Sequence, residues 1–528
     1  MRHRNRLMDS LAGFAAAAVA LGVTELLAAL AGTPSIVVSV GNVIVDRTPG
    51  PVVKWAIGLL GTNDKPFLLT TVTIASLALG FALGPFAGRR PVVGQVAFAV
   101  FGFIGVLAGA TDPLTGYGAS FWIAVPAALL GWVVLRYLLQ LATPEAAPSA
   151  SMPGSTPASM PGRGVADRRK FLAFAGAATG GAAVAAFSGQ FLTTRVDVEE
   201  QRAAVELPTI EGSPPPQNIG LNVDGLSPYI TPNDDFYRID TALVVPRVDA
   251  STWRLRITGL VDEPYELTFA DLADMATIEE SVTISCVSNE VGGRLVGNAI
   301  WLGVPLAKVL ERAGVQDGAT QIVGRSVDGF TVGFPTEVAL DGRSSMIAIG
   351  MNGEPLPAEH GFPARLIVPG LYGYVSATKW LQEIELTRLE DFDAYWIPRG
   401  WAKEAPIKTQ SRIDVPRGSN VTAGMNPIAG IAWAGIRSVD KVEVRITPVD
   451  QDRDANQEWI TARLSEELTQ SSWRQWVVEW DARPGEYYLE VRATDGDGVT
   501  QTEQRSEPAP DGATGWHMRR VRVREAGA

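Results

Sequence analysis

A chain of 528 residues leaves room for two or three domains rather than one. Its 57 acidic residues outnumber 45 Lys and Arg, for a net charge of −12, and that balance lacks the basic footprint needed to neutralise nucleic-acid phosphates. The single Cys excludes an intramolecular disulfide and any Cys-based zinc or iron–sulfur site.

Residues 1–195 are dominated by Ala, Gly, Leu, Val and Phe, whereas the remainder has the composition of a soluble protein. Crossing a bilayer as a helix takes about 20 apolar residues. Five stretches qualify: Leu11–Ala31, Phe67–Ala87, Val92–Ala110, Ser120–Leu141 and the Ala/Gly-rich Phe171–Leu192. Between the first two, Ile36–Gly61 is apolar but broken by Asp46-Arg47 and Pro49-Gly50-Pro51. Neither half is long enough to span, so an interfacial or re-entrant segment is expected.

Basic residues test that count. Arg2, Arg4 and Arg6 place the N-terminus in the cytoplasm, and Arg89-Arg90 and Arg168-Arg169-Lys170 join them there only if Ile36–Gly61 does not cross. Everything after Leu192 is then extracytoplasmic. The expectation is a multi-pass protein of the cell membrane, with lipid around a helical domain at 1–195 and a linker at 142–169. The stretch Pro144–Gly164 is rich in Pro, Ser, Ala and Gly, a flexible-linker composition. It leads to Arg168-Arg169-Lys170-Phe171-Leu172, which is similar to a twin-arginine export signal placed internally, although Asp167 stands where those signals carry Ser or Thr. The same residues read equally well as the flanking charges of a span. His3, His360 and His517 all lie outside the spans, which excludes a bis-histidine haem in the bundle; no haem is expected in this chain.

From about Asp224 the chain alternates short apolar runs with turns. Strands are predicted at Trp253–Ile257, Ser281–Ser285, Gln321–Val323 and Arg365–Val368, and short helices at Phe269–Met275, capped by Thr268, and at Pro305–Ala313. This is a mixed α+β domain, assigned to 196–405. Beyond it, Val442–Ile446, Gln475–Trp480, Tyr487–Thr494 and Met518–Val523 read as strands at sandwich-like spacing, with Asp495-Gly496-Asp497-Gly498 as a turn between two of them. Residues 406–528 are therefore expected to form an immunoglobulin-like β-sandwich. A lone Cys286 is usually a small buried hydrophobe; in an exported domain an unpaired thiol also raises the question of what occupies it.

Four patches, in order, resemble the sulfite oxidase superfamily. They are Thr231–Arg238; Ile284-Ser285-Cys286-Val287-Ser288-Asn289 with Trp301–Leu306; Met351–Pro357 with His360-Gly361-Phe362-Pro363-Ala364-Arg365; and Pro369–Tyr374 with Ser376 and Thr378–Leu381. The resemblance implies a molybdenum–molybdopterin cofactor with Cys286 as the protein's thiolate ligand and catalytic centre, a soft donor that suits the metal. It places His360 and Arg365 on the pterin and its phosphate, where a planar guanidinium can donate two hydrogen bonds to an oxyanion. Ser376 and Lys379 fall in the loop that supplies further cofactor contacts. Asp234, Tyr237 and Arg238 fall in the N-terminal cofactor-contacting patch, and Ser326 where a polar side chain meets the pterin.

The resemblance also has gaps. Sulfite-oxidising members grip their anion with arginines, one in a Phe-Phe-x-Arg-Asn-His segment and one five residues after the cysteine. Here those places read Ile239-Asp240-Thr241 and Val291, with Arg238 and Arg294 out of register. The family's catalytic tyrosine has no clear counterpart, although Tyr395, Trp396 and Trp401 lie in that stretch. A desolvated anion needs compensating charge. The expected activity is therefore two-electron oxygen-atom transfer on a small molecule such as a sulfoxide or another S- or N-oxide, with electrons exchanged with a separate quinone, cytochrome or membrane protein. The alternatives are a sulfite oxidase proper with relocated arginines, and a non-catalytic envelope binding protein on the same fold. The C-terminal domain resembles the one through which family members dimerise, which implies a homodimer.

Overall fold

The computed structural model describes residues 5–60, 63–143, 163–192, 198–210, 219–451 and 458–525. The expected linker Pro144–Gly164 lies almost wholly outside the described residues. The chain divides into two compact units: residues 1–197 with Ala242–Val245, and residues 198–241 with 246–528.

The first unit is helical: α1 (Arg6–Ala31), α2 (Ile36–Arg47), α3 (Gly50–Leu60), α4 (Asp64–Arg89), α5 (Pro91–Thr111), α6 (Gly116–Leu141) and α7 (Arg163–Leu192). Five are long and apolar enough to cross a membrane: α1, α4, α5, α6 and, within α7, Arg168–Gly189. The first four expected spans fall inside α1, α4, α5 and α6, and the fifth, Phe171–Leu192, overlaps Arg168–Gly189 and ends with α7. The segment Ile36–Gly61 forms α2 and α3, of 12 and 11 residues. At about 1.5 Å per residue neither reaches the roughly 30 Å of a hydrocarbon core.

Small residues let these helices approach closely. A side chain on Gly13 of α1 would sit 2.0 Å from the Gly80 carbonyl oxygen of α4, and one on Gly22 would sit 2.4 Å from the Ala182 oxygen of α7. A buried polar cluster ties α2 to the α5–α6 turn. Asp112 Oδ2 accepts from Ser39 Oγ at 2.9 Å and Asn42 Nδ2 at 3.1 Å, while Oδ1 accepts from the Leu114 N–H at 3.0 Å.

The second unit is built on sheets. One runs Tyr265–Thr268, Arg254–Gly259, Leu381–Thr387, Gln321–Ser326, Thr331–Pro335. Another runs Ile278–Ser285, Val296–Pro305, Met346–Met351, Glu354–Pro355, with Arg365–Ile367 also paired to Met346–Met351. The strands Val296–Pro305 and Met346–Met351 are almost continuously buried. The helix Phe269–Met275 has both halves of a capping box, Thr268 Oγ accepting from the Asp271 N–H and the Asp271 carboxylate accepting from the Thr268 N–H. The second predicted helix is Leu306–Ala313, closed by Gly314 in the left-handed region.

Two further sheets follow: Gln410–Val415, Gly424–Trp433, Arg474–Ala482, Arg463–Leu464; and Asn420–Thr422, His517–Arg524, Gly485–Asp495, Val439–Pro448, Ile460–Thr461. They share one core, in which Ile428, Trp476 and Val478 of the first meet Val442, Val444, Leu489, Val491 and Val521 of the second. The Asp495–Gly498 turn differs from expectation in one respect. It returns the chain only to an isolated bridge, Thr494 to Thr500, and the next strand begins at His517.

Candidate active site

Cys286 follows directly on the strand Ile278–Ser285, and the loop it opens is held shut. The Cys286 N–H donates to Leu295 O at 2.9 Å, the Leu295 N–H donates to Asn289 Oδ1 at 2.8 Å, and the Asn289 N–H donates to Cys286 O at 3.0 Å. Gly292, with φ +77°, packs against His517; a side chain there would meet the imidazole at 2.3 Å. Burial pushes the Cys286 thiol up, and the Ser288 N–H and hydroxyl oppose that. A metal would reverse the balance, because a coordinated thiol loses its proton outright.

Cys286 lines a cleft with about 900 Å³ of empty space. Of the residues singled out in the sequence, Tyr237, Ser326, His360, Arg365 and Lys379 line the same cleft. Asp234 is exposed on a short turn and does not line it. Arg238 is largely exposed and pairs with Asp240 at 3.0 Å. Ser376 is buried and donates to Tyr372 O at 3.0 Å, so its hydroxyl fastens the turn Gly373–Ser376 whose neighbours Gly373, Tyr374 and Ala377 face the cleft.

His360 ends a short turn with its ring edge-on to Phe236, and its Nε2 lies 3.0 Å from Asn233 O. A carbonyl only accepts, so Nε2 carries the proton and Nδ1 is the free acceptor. Burial lowers the His360 pKa to about 4, with Arg365 adding to the effect, so the ring is neutral at pH 7. Gly361, at φ +113°, lets Lys379 approach; a side chain there would lie 3.0 Å from the Lys379 Cα.

Arg365 carries the strongest electrostatic signal. It is 6% exposed, lies over the Trp301 ring at 4.9 Å, and donates from Nη1 to His360 O at 3.0 Å. Its Nε has no partner, and no carboxylate pairs with it among the described residues. Burial lowers its pKa to about 10, which still leaves it cationic. A buried guanidinium without a counter-charge is costly. An anion bound beside it would compensate that charge. Burial also raises the Tyr237 hydroxyl, an effect that proximity to Cys286 strengthens and Arg365 opposes.

Lys379 is in the opposite situation. Its Nζ donates to Asp240 Oδ2 at 2.9 Å and to Glu359 O at 3.0 Å; burial lowers its pKa to about 8 while Asp240 raises it. Trp380 beside it adopts φ +49°, a strained conformation for so bulky a residue, held by its indole donating to Ala358 O at 2.8 Å.

Reading from sequence missed two carboxylates in the cleft, Asp240 and Asp328. Burial pushes the Asp328 carboxyl up, helped by Asp240, and opposed by the Ser326 hydroxyl, the Phe330 N–H and Lys379. The only local signal was Asp328-Gly329, which reads as a turn. Two cations and two carboxylates thus line the cleft, together with the aromatic residues Phe330, Tyr374, Trp396 and Trp401.

A buried thiol, a buried guanidinium without a carboxylate partner and a cleft that both line are the features an anionic metal cofactor would use. Residues 242–396 match the family model described as oxidoreductase molybdopterin binding domain. The uncharacterized oxidoreductase YuiH of Bacillus subtilis is 36% identical over 153 residues, which cover 29% of this chain and 74% of that protein. Mitochondrial sulfite oxidase of Macaca fascicularis is 29% identical over 325 residues, covering 53% of this chain; the match spans 57% of that relative's length. Among solved structures, the sulfane dehydrogenase SoxCD of Paracoccus pantotrophus aligns with a TM-score of 0.48 and 24% identity, over 56% of this chain and 81% of that one.

The chain belongs to the sulfite oxidase superfamily of molybdenum-dependent oxidoreductases, and its cofactor is molybdenum held by molybdopterin.

Proposed function

We propose that this is a membrane-anchored, extracytoplasmic enzyme that transfers an oxygen atom to or from a small molecule without net negative charge, such as a sulfoxide or another S- or N-oxide. The observation that carries the reading is Asp240. It stands in the segment where sulfite-oxidising relatives place an anion-gripping arginine, and its buried carboxylate neutralises Lys379. Of the two cations in the cleft, one is thus already paired. The other, Arg365, is the residue suited to the cofactor's phosphate. Sulfite would find Lys379 already bound to Asp240, a carboxylate that Arg238 pairs with as well.

In this reading Cys286 holds the metal, Arg365 and His360 hold the pterin, and Ser326 and Tyr237 border it. When bound, the cofactor supplies the two-electron redox couple and the oxygen-atom exchange. Reduction of an S- or N-oxide also takes up two protons as the oxygen becomes water. Burial pushes the Asp328 carboxyl up, which favours its protonated form inside the cleft. Phe330, Trp396 and Trp401 exclude water from it.

Electrons pass to or from a separate quinone, cytochrome or membrane protein. Residues 406–528, with two sheets around a common core, support an immunoglobulin-like domain of the dimerising type. The five apolar helices and the basic flanks support a membrane anchor with the N-terminus inside. Steady-state assay of the purified chain, comparing sulfoxide reduction by a reduced viologen with sulfite oxidation, tests the proposal. Preference for the sulfoxide is expected. Efficient sulfite turnover without sulfoxide reduction would replace it with a sulfite oxidase reading.

A further inference from the structure

Residues 237–248 form neither helix nor strand, and they run from the cleft into the helical unit. Tyr237, Ile239, Asp240 and Thr241 line the cleft that Cys286 lines. The next four residues, Ala242–Val245, belong to the helical unit. There Lys65, in the first turn of α4, donates from Nζ to Ala242 O at 2.6 Å. Leu243 covers Gly41 of α2: a side chain on that glycine would meet Leu243 Cδ1 at 2.7 Å, beside Leu68 and Leu69 of α4. Lys65 stands at the opposite end of α4 from Arg89, so the segment meets the end that the basic flanks place outside. Only Thr241 separates Ala242 from Asp240, whose buried carboxylate holds Lys379 at 2.9 Å and Arg238 at 3.0 Å. Chain reach is at most about 3.6 Å per residue, so an anchor at Ala242 confines Asp240 closely.

We propose that Lys65 and Leu243 are positioning residues for the cleft: by anchoring Ala242 and Leu243 on α2 and α4, they hold the Asp240 carboxylate against Lys379. This deepens the proposed function and rests on its pairing of Asp240 with Lys379. The helical unit then does more than anchor the chain, because it governs which charge the cleft presents. Strands are fixed by their ladders, whereas a segment without one keeps its place through its end contacts. Here one end is tied by Lys379 and Arg238, the other by Lys65 and the Leu243 side chain. Burial, Arg365 and Arg238 all disfavour the Lys379 ammonium, and Asp240 supports it. A carboxylate that slackens away therefore leaves a neutral, nucleophilic amine.

The test exposes the full-length holoenzyme in detergent briefly to an amine-acylating reagent and counts acylation of each lysine by mass spectrometry. Asp240→Asn should acylate Lys379 about tenfold faster than wild type, the factor set by one charge-assisted hydrogen bond. Leu243→Ala and Lys65→Met should each raise the rate by a factor of roughly three to ten. Lys65→Arg, which can still donate to Ala242 O, should restore it. Adding either change to Asp240→Asn should alter the rate by less than about twofold, because both act through the same pair. Lys408, bound to Asp511 and to Gly512 O, should keep its wild-type rate and so reports general loosening. Should Leu243→Ala fail to load molybdenum, Lys65→Met, which adds no bulk, decides. A rise shared by Lys408, or no rise at Lys379 in these variants while Asp240→Asn gives one, would overturn this inference alone. No rise in Asp240→Asn would remove the pairing itself, and with it the observation that carries the proposed function.

Discussion

Replacing Arg365 with Met separates two roles that the folded chain combines. In the cofactor-free protein the guanidinium is an uncompensated buried charge. Its pKa falls from 12.5 to about 10 through burial; at about 1.4 kcal/mol for each tenfold in proton affinity, the charged form is disfavoured by about 3 kcal/mol. Methionine removes that penalty. It also gives up the hydrogen bond to His360 O and the stacking on Trp301, together about 2–4 kcal/mol. The two effects nearly cancel, so cofactor-free Arg365→Met should melt within a few degrees of cofactor-free wild type. With cofactor the balance changes. Charge-assisted bonds to a phosphate contribute about 1.5–3 kcal/mol each, so losing a two-pronged contact removes about 3–6 kcal/mol of stabilisation. At roughly 2–4 °C per kcal/mol for a unit of this size, the gap in Tm between holo and cofactor-free forms should shrink by on the order of 10 °C, and pterin content should fall. The assay is calorimetry of the detergent-solubilised full chain from cofactor-competent and cofactor-deficient hosts, with pterin measured by fluorescence. An Arg365→Met protein with full pterin and an unchanged gap would refute the assignment of this guanidinium to the cofactor.

Asp240→Asn should unmask Lys379: kcat/KM for sulfite rises about tenfold at pH 6, and less at pH 8, because the lysine, already lowered to about 8, loses the carboxylate that keeps it protonated. Unchanged sulfite kinetics with full molybdenum would count against the role given to Asp240. His517 accepts from the Ile413 N–H at 2.9 Å through Nδ1, and burial lowers its pKa to about 4. A base with a depressed folded pKa leaves more protons on the unfolded chain between pH 6.5 and 4, so stability falls as pH drops through that window, by about 3 kcal/mol for this group. His360 shares the window; His517→Asn should remove only the first share, as read by denaturant midpoints against pH. A reporter fused after Leu192 should give an extracytoplasmic signal, and a cytoplasmic one would overturn the five-span topology.

How far the sequence carried these conclusions depends on the range of the interactions involved. The five long apolar helices were legible because apolar length is a local property, and Ile36–Leu60 forms two short helices rather than one long one where Pro49 and the charges Asp46 and Arg47 interrupt it. The helix Phe269–Met275 was legible to the residue because its Thr268 cap is encoded next to it. Arg365, His360 and Cys286 were candidates only through the surrounding motifs, and the structure places all three on one cleft. Nothing in the local pattern around Arg365 says that it is buried without a partner, since that depends on Trp301 some sixty positions away, on a strand separated from its own by Met346–Met351. Asp240 and Asp328 were missed for the same reason. Asp240 reads as a surface acid until Lys379 folds onto it, and Asp328 reads as a turn residue until the wall at Trp396–Trp401 closes over the hairpin that carries it. The Asp495–Gly498 turn and the strand Met518–Val523, which pairs back onto Gly485–Asp495, were both legible, whereas the stretch between them, with its bridges at Thr500, Ser506 and Thr514, was not, because such pairing is not encoded locally.

The central claim is that Cys286 binds molybdenum in a cleft whose Arg365 awaits the pterin phosphate. Elemental and pterin analysis of the full chain purified from a cofactor-competent host tests it most directly. The account predicts about one molybdenum and one pterin per chain, with the metal lost in Cys286→Ser while the melting profile of the cofactor-free protein is unchanged. Wild-type protein without molybdenum, or a Cys286→Ser protein that retains it, would contradict the account.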